Sequence, residues 1–166
     1  AAASQVVIEI GAWLGRSTRV LGDHCPGLVI TVDPWTKYTN DDGSLAEWIL
    51  KGRTWDEAFA EFQRNVADLI TAGKVIPIRK ASVDAIGSVR YRLKGQRADL
   101  VFIDGDHHYE AVLKDIELYR KFVKPGGILA GHDYGHPDWP GVQRAVDEIF
   151  GGGAVQSSRT IWWITL

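Results

Sequence analysis

Short apolar runs recur along the chain, with stretches of helical spacing between them. Gln5 to Ile10 is rich in Val and Ile and breaks at Gly11, the pattern of a strand buried on both faces. Ser17 and Thr18 follow Gly15 and suit the start of a helix that leads to Pro26 and Gly27. Leu28 to Val32 is a second strand, closed by Asp33 and Pro34 because proline cannot continue a central strand. The stretch from Lys37 to Gly52 carries Asn40, Asp41, Asp42 and Gly43 around a short helix at Leu45 to Leu50. It reads as an irregular excursion of the size used for lids.

Thr54 with Glu57 forms a capping-box pattern, and Trp55, Phe59, Phe62, Val66 and Leu69 then predict one helix up to Gly73. Val75 to Arg79 is a third strand whose Pro77 places it near a sheet edge, and Ser82 to Ser88 is a short helix. Asp99 to Ile103 is the fourth strand. Val112, Ile116, Tyr119 and Val123 mark a helix that stops before Pro125, and Ile128 to Gly131 is the fifth strand. Val142, Ala145, Val146 and Ile149 give one more helix, and Val155 to Leu166 splits into a hairpin around Ser157 to Arg159.

Strands alternating with helices imply right-handed crossovers and a parallel sheet covered on both sides, with ligands at the carboxyl ends of the strands. The unusual residues fall there: Gly11 to Gly15 after the first strand, Asp33 after the second, Asp104 after the fourth, and His132 with Asp133 after the fifth. With 166 residues and no repeat or composition shift, one domain over 1–166 is expected. The net charge of −2 is spread along the chain, so no basic stripe invites nucleic acid, and a small-molecule partner fits better. Cys25 stands alone, and neither a leader nor a membrane-length apolar run appears, which points to a reducing cytoplasm. A homo-oligomer stays open.

Gly11 and Gly15 are separated by three residues, whereas the dinucleotide fingerprint asks for G-x-G-x-x-G. That spacing argues against a nicotinamide cofactor. A glycine loop still lets a ligand meet backbone, and Asp33 stands at the distance onward from which a carboxylate accepts from both ribose hydroxyls, so an adenosine-bearing ligand is expected. Glu9-Ile10-Gly11 through Gly15-Arg16-Ser17-Thr18, then Val32-Asp33, Asp104-Gly105-Asp106-His107, Pro125-Gly126-Gly127 and Gly131-His132-Asp133-Tyr134 closely resemble the class I S-adenosylmethionine-dependent methyltransferases. Within them the chain looks most like the bacterial branch related to macrocin-type and catechol-type O-methyltransferases, many of which use magnesium.

That resemblance implies an α/β fold of three layers, Rossmann-like, with a mostly parallel seven-stranded sheet and a C-terminal antiparallel hairpin. It also implies that Glu9, Gly11, Ala12 and Gly15 belong to the cofactor site, with Ser17 and Thr18 at the helix start nearby. Asp33 would hold the ribose, Trp35 would cover the adenine face, and Ser82 with Val83 would meet the adenine edge. Related chains usually carry helices ahead of the first strand that help form the substrate pocket, and here those cap helices are expected to be missing.

Asp104 and Asp133 end neighbouring strands about 4.8 Å apart, so their carboxylates can converge on one hard cation, magnesium or another divalent ion. His132 can share that ion only if the chain turns at Gly131, since successive strand side chains face opposite ways. Relatives often have two acidic residues where this chain has His132 and Asp133. The imidazole therefore leaves manganese, iron and zinc open. Asp104, His107 and His132, in that order, are the candidates for the base that takes the acceptor's proton, and Asp104 also borders the cofactor. The expected reaction is methyl transfer to a hydroxyl of a sugar or phenol. The alternatives are a nicotinamide oxidoreductase on a similar sheet, or a domain that binds cofactor without catalysis.

Overall fold

The computed structural model describes residues 5–36 and 47–166. Its strands are β1 (Val6–Ile10), β2 (Leu28–Asp33), β3 (Val75–Arg79), β4 (Ala98–Ile103), β5 (Val123–Gly131), β6 (Gln156–Ser158) and β7 (Ile161–Thr165). Its α-helices are α1 (Arg16–His24), α2 (Trp55–Asn65), α3 (Ala67–Thr71), α4 (Ser82–Leu93), α5 (Tyr109–Tyr119) and α6 (Pro140–Phe150). The strands form one sheet in the order β3-β2-β1-β4-β5-β7-β6. β1 to β5 pair in parallel, while β7 runs antiparallel to both β5 and β6.

Strand alternation sends Val6, Ile8 and Ile10 into a core shared with α4, α5 and α6, and Val7 into a second core shared with α2 and α3. Three layers result, the α/β arrangement expected from the sequence. The helix before β3 is anchored as read: Thr54 Oγ1 accepts from the Glu57 N–H at 3.2 Å, and the Glu57 carboxylate accepts from the Thr54 N–H at 2.7 Å. β3 lies at the sheet edge, where Pro77 costs least.

Several expectations about elements differ from the structure, among them the hairpin turn, since Ser157 and Ser158 are paired within β6. The helix expected to run unbroken to Gly73 is interrupted at Val66 (φ −124°), separating α2 from α3, while Phe62, Val66 and Leu69 all stay buried; the apolar spacing runs straight through the break and hides it. α4 extends beyond Ser88 to Leu93, because Ala85, Val89 and Leu93 continue one buried stripe. Val123, read as the end of a helix, begins β5; α5 ends at Tyr119 and a 3₁₀ turn, Arg120–Phe122, follows. The register along β4 jumps from Ala98↔Val123 to Leu100↔Ile128, an irregularity that absorbs Pro125-Gly126-Gly127 within the strand. Of the expected excursion, Glu47–Leu50 is a 3₁₀ turn, and 37–46 lie outside the described residues. No described helix is long and apolar enough to cross a membrane.

Candidate functional site

A cavity of about 810 Å³ opens over the carboxyl ends of β1, β2 and β4. Its floor is made where two loops interlock. The Asp104 N–H donates to the Ile10 carbonyl at 2.7 Å, and the Gly11 N–H donates to the Val32 carbonyl at 2.8 Å. Gly11 has φ +88°, and a Cβ there would stand 2.0 Å from the Asp104 carbonyl oxygen. The glycine is required because another stretch of backbone occupies the space, and of this loop Gly11 and Trp13 border the cavity.

Asp33 stiffens this loop. One carboxylate oxygen accepts from the Ala12 and Trp13 N–H groups at 3.0 and 2.9 Å, and the other accepts from the Trp35 N–H at 2.7 Å. Burial pushes its pKa up, and the three backbone hydrogen bonds work against that rise. Asp33 borders the cavity, and so do Gly11, Ser82, Val83 and Asp104 from the expected cofactor set.

Glu9, Ala12, Gly15, Ser17, Thr18 and Trp35 do not line the cavity. Glu9 shares a strand face with Val7, which turns it toward α1 and away from the cavity. It is fully buried, and its Oε2 accepts from the Thr18 and Thr31 hydroxyls at 2.6 Å each. Oε1 has no hydrogen-bond partner among the described residues, and burial pushes the pKa up to about 7 despite the nearby Ser17, Thr18 and Thr31 hydroxyls. Gly15 packs against the Phe62 ring. Trp35, expected over the adenine face, is 1% exposed, sits between Phe59 and Phe62 at centroid distances of 4.7 Å, and donates its indole N–H to the Trp13 carbonyl. It is a core residue. The aromatic wall comes from Trp13 and Trp55, whose rings meet edge to face at 6.1 Å.

At the cavity's other side, the ends of β4 and β5 bring four titratable side chains together. Ligand atoms of Asp104, His107 and Asp133 all lie within 4.8 Å of one another. His107 Nε2 is 2.7 Å from Asp133 Oδ2 and 3.9 Å from Asp104 Oδ1. His132 Nδ1 is 3.1 Å from Asp133 Oδ1 and 3.7 Å from Asp104 Oδ1, while its Nε2 lies 3.0 Å from the Thr160 hydroxyl. The turn that lets His132 and Asp133 face one cluster occurs at Asp133 itself (φ 61°), two residues beyond the expected pivot at Gly131. Gly131 serves a different purpose, since a Cβ there would stand 2.5 Å from the Ile103 carbonyl oxygen and 2.6 Å from the Trp162 indole nitrogen. His107, Asp104 and Asp133 border the cavity and His132 does not, so His107 joins the carboxylates where His132 was expected as the third ligand.

Burial pushes Asp104 up to about 6, with Asp133 adding to the rise and His132 and His107 opposing it. Burial also acts on Asp133, but the hydrogen bond and charge of His107, together with His132, leave it below its ordinary value. Trp139 stacks on His107 at 4.7 Å and steadies the ring. The sequence reading missed Trp13, Trp55, Trp139 and Asp115 as cavity residues. A signal existed for Asp115, which falls between Val112 and Tyr119 on the buried stripe of α5, where a carboxylate is unusual.

Residues 8–134 match the methyltransferase-domain family, and the chain belongs to it. An uncharacterized protein, R132, of Acanthamoeba polyphaga mimivirus is 46% identical over 52 residues, a stretch that covers 31% of this chain and 24% of that protein. This chain therefore matches about a quarter of that relative's length. Among solved structures, the calicheamicin methyltransferase CalS11 superposes with a TM-score of 0.70 at 14% identity, covering 98% of this chain and 72% of that one. The O-methyltransferase from Bacillus cereus in complex with SAH gives 0.67 at 16% identity, over 98% and 74% of the two chains. TomG from Streptomyces achromogenes, an O-methyltransferase involved in tomaymycin synthesis and solved with SAM, gives 0.67 at 16% identity, over 98% and 73%. At such identities the likeness is one of fold, and the fold is that of the class I S-adenosylmethionine-dependent methyltransferases.

Proposed function

We propose that this domain moves the methyl group of S-adenosylmethionine to a hydroxyl of a small molecule, of sugar or phenol type, with help from a divalent cation. The observation that carries the reading is one continuous cavity bordered at one part by Gly11, Asp33, Ser82 and Val83 and at another by Asp104, His107 and Asp133. Its volume lies within the ~300–1,000 Å³ range of small-molecule sites. Asp33 retains lone pairs beyond its three backbone bonds and would accept from the ribose hydroxyls. Ser82 and Val83 would meet the adenine edge, and the Gly11 loop would face the methionine part.

The acidic cluster fits a cation. Two carboxylates and one imidazole converge within 4.8 Å, a donor set open to magnesium, manganese, iron or zinc. Asp104, Asp133 and His107 would hold it, and when bound it would supply Lewis acidity that lowers the pKa of an acceptor hydroxyl. Asp104 is the favoured base for that hydroxyl's proton, followed by His107. His132, which does not border the cavity and whose Nε2 meets the Thr160 hydroxyl, ranks below both. Positioning the acceptor oxygen in line with the methyl group supplies much of the rate. Membership of the methyltransferase family favours this chemistry over hydride transfer.

Calorimetric titration with S-adenosylhomocysteine and with NAD tests the cofactor, heat being expected from the former alone. Titration of the apoprotein with Mn²⁺, for the wild type and for Asp133→Asn, tests the metal independently of turnover. Methyl release from hydroxylated acceptors, compared between the wild type and Asp104→Ala, tests the chemistry. Equal turnover would remove Asp104 from its role.

A further inference from the structure

Thr160, between β6 and β7 in the C-terminal hairpin, binds both chain neighbours of Asp133. Its carbonyl accepts from the Tyr134 N–H at 3.0 Å, and its hydroxyl meets His132 Nε2 at 3.0 Å. From β4, the Ile103 carbonyl accepts from the His132 N–H at 3.0 Å. Between these anchors Asp133 takes a left-handed backbone (φ 61°), which aspartate tolerates better than most residues, and borders the cavity. The two imidazoles meet different oxygens of its carboxylate. His107 Nε2 stands 2.7 Å from Oδ2, and His132 Nδ1 stands 3.1 Å from Oδ1. A ring nitrogen that meets a carboxylate oxygen at such a distance carries a proton, since two lone pairs would repel. His107 Nε2 must give its proton up to ligate a cation, because a ligating imidazole nitrogen is bare. Its hydrogen bond to Asp133 is then lost, and the one from His132 remains. With a proton on Nδ1, the neutral His132 ring has an acceptor at Nε2, and the Thr160 hydroxyl donates to it.

We propose that His132 is a positioning residue and not a ligand: Thr160 fixes its ring, and its Nδ1–H holds the Asp133 carboxylate in place for the cation. The C-terminal hairpin thereby helps to build the metal centre, although it contributes no ligand. The assignment rests on the reading that Asp104, His107 and Asp133 hold a divalent cation. Groups that orient a metal's ligands change its affinity by about 10- to 100-fold when they are removed.

The test is titration of the apoprotein with Mn²⁺ for the wild type, Thr160→Val, Thr160→Ser, His132→Phe and His132→Asn. Valine keeps the shape of threonine and loses the hydroxyl, so Thr160→Val should bind Mn²⁺ about 10-fold more weakly, while Thr160→Ser stays within about threefold of the wild type. His132→Phe should lose about 10- to 100-fold, and His132→Asn, whose amide supplies an N–H near the place of Nδ1, should recover most of it. Thermal melting of each variant separates lost folding from lost affinity. A contact that only braces the hairpin would lower the melting temperature and leave Mn²⁺ affinity unchanged, which would overturn the proposal. Nitrogen NMR of the wild-type imidazoles, with and without magnesium, reads the protons directly and needs no variant to fold. His132 Nδ1 should keep its proton when magnesium is added, while His107 Nε2 gives its proton up. A bare Nδ1 in the loaded protein would make His132 a ligand and overturn the assignment. A wild type that binds neither Mn²⁺ nor magnesium would instead refute the cation reading, and the role of His132 with it.

Discussion

Replacing Glu9 by glutamine preserves the side chain's shape and removes its titration. Glu9 is fully buried between β1, β2 and α1, and its pKa rises from the ordinary 4.5 to about 7 because burial disfavours the charged form. Below pH 4.5 the carboxyl is protonated in the folded and the unfolded chain alike, so it carries no penalty. Between 4.5 and 7 the unfolded chain gives up its proton while the folded chain keeps it, and stability falls as pH rises; above 7 the loss is complete. At roughly 1.4 kcal/mol for each tenfold change in proton affinity, the full loss is about 3 kcal/mol. Glutamine escapes it. Its carbonyl can keep the bonds from Thr18 and Thr31, but its amide then occupies the place of the unpartnered Oε1, at a cost of about 1–2 kcal/mol that does not vary with pH. Urea denaturation of Glu9→Gln and the wild type at pH 5 and pH 8 should show the variant gaining about 2–3 kcal/mol relative to the wild type between the two. A difference that stays constant across this range would refute the account of Glu9 as a buried, reluctantly charged group.

Gly11→Ala should be destabilised by more than about 3 kcal/mol, or fail to fold, because a Cβ would strike the Asp104 carbonyl oxygen at a left-handed backbone position; thermal melting checks this. Trp35→Ala should lose about 3–5 kcal/mol in denaturant titrations, while the folded fraction keeps its affinity for S-adenosylhomocysteine within about threefold, as suits a core residue. In the metal-free protein the Asp104 carboxyl should titrate near pH 6, followed by NMR, and magnesium should pull that titration downward; a titration unmoved by magnesium would exclude Asp104 from the cation site.

Much of the architecture was legible because local and global signals agreed. Pro77 announced an edge, and β3 is at the edge; Thr54 and Glu57 announced a helix start, and α2 begins there. The start of β5 was not legible, since Val123 continues the helical spacing of Ile116 and Tyr119, and only pairing with Ala98 makes it a strand. At the site, strand ends correctly marked Gly11, Asp33, Asp104 and Asp133 as residues around one cavity. The reading went astray where neighbours in sequence point to different places. Trp35 follows Asp33 by two residues yet turns into the core, and Trp13, inside the glycine loop, takes the wall. His132 was expected beside the two carboxylates and His107 only as a base, yet it is His107 that clusters with them at the cavity, while His132 Nε2 meets the Thr160 hydroxyl of the C-terminal hairpin.

The interlock at Gly11 bears on protein engineering. Two backbones cross there with no side chain between them, so the glycine loop and the Asp104-Gly105 turn form a single mechanical part. Grafting a donor loop into this scaffold would succeed only if the matching turn travelled with it, and a chimera that exchanged one without the other would spoil both halves of the cleft at once.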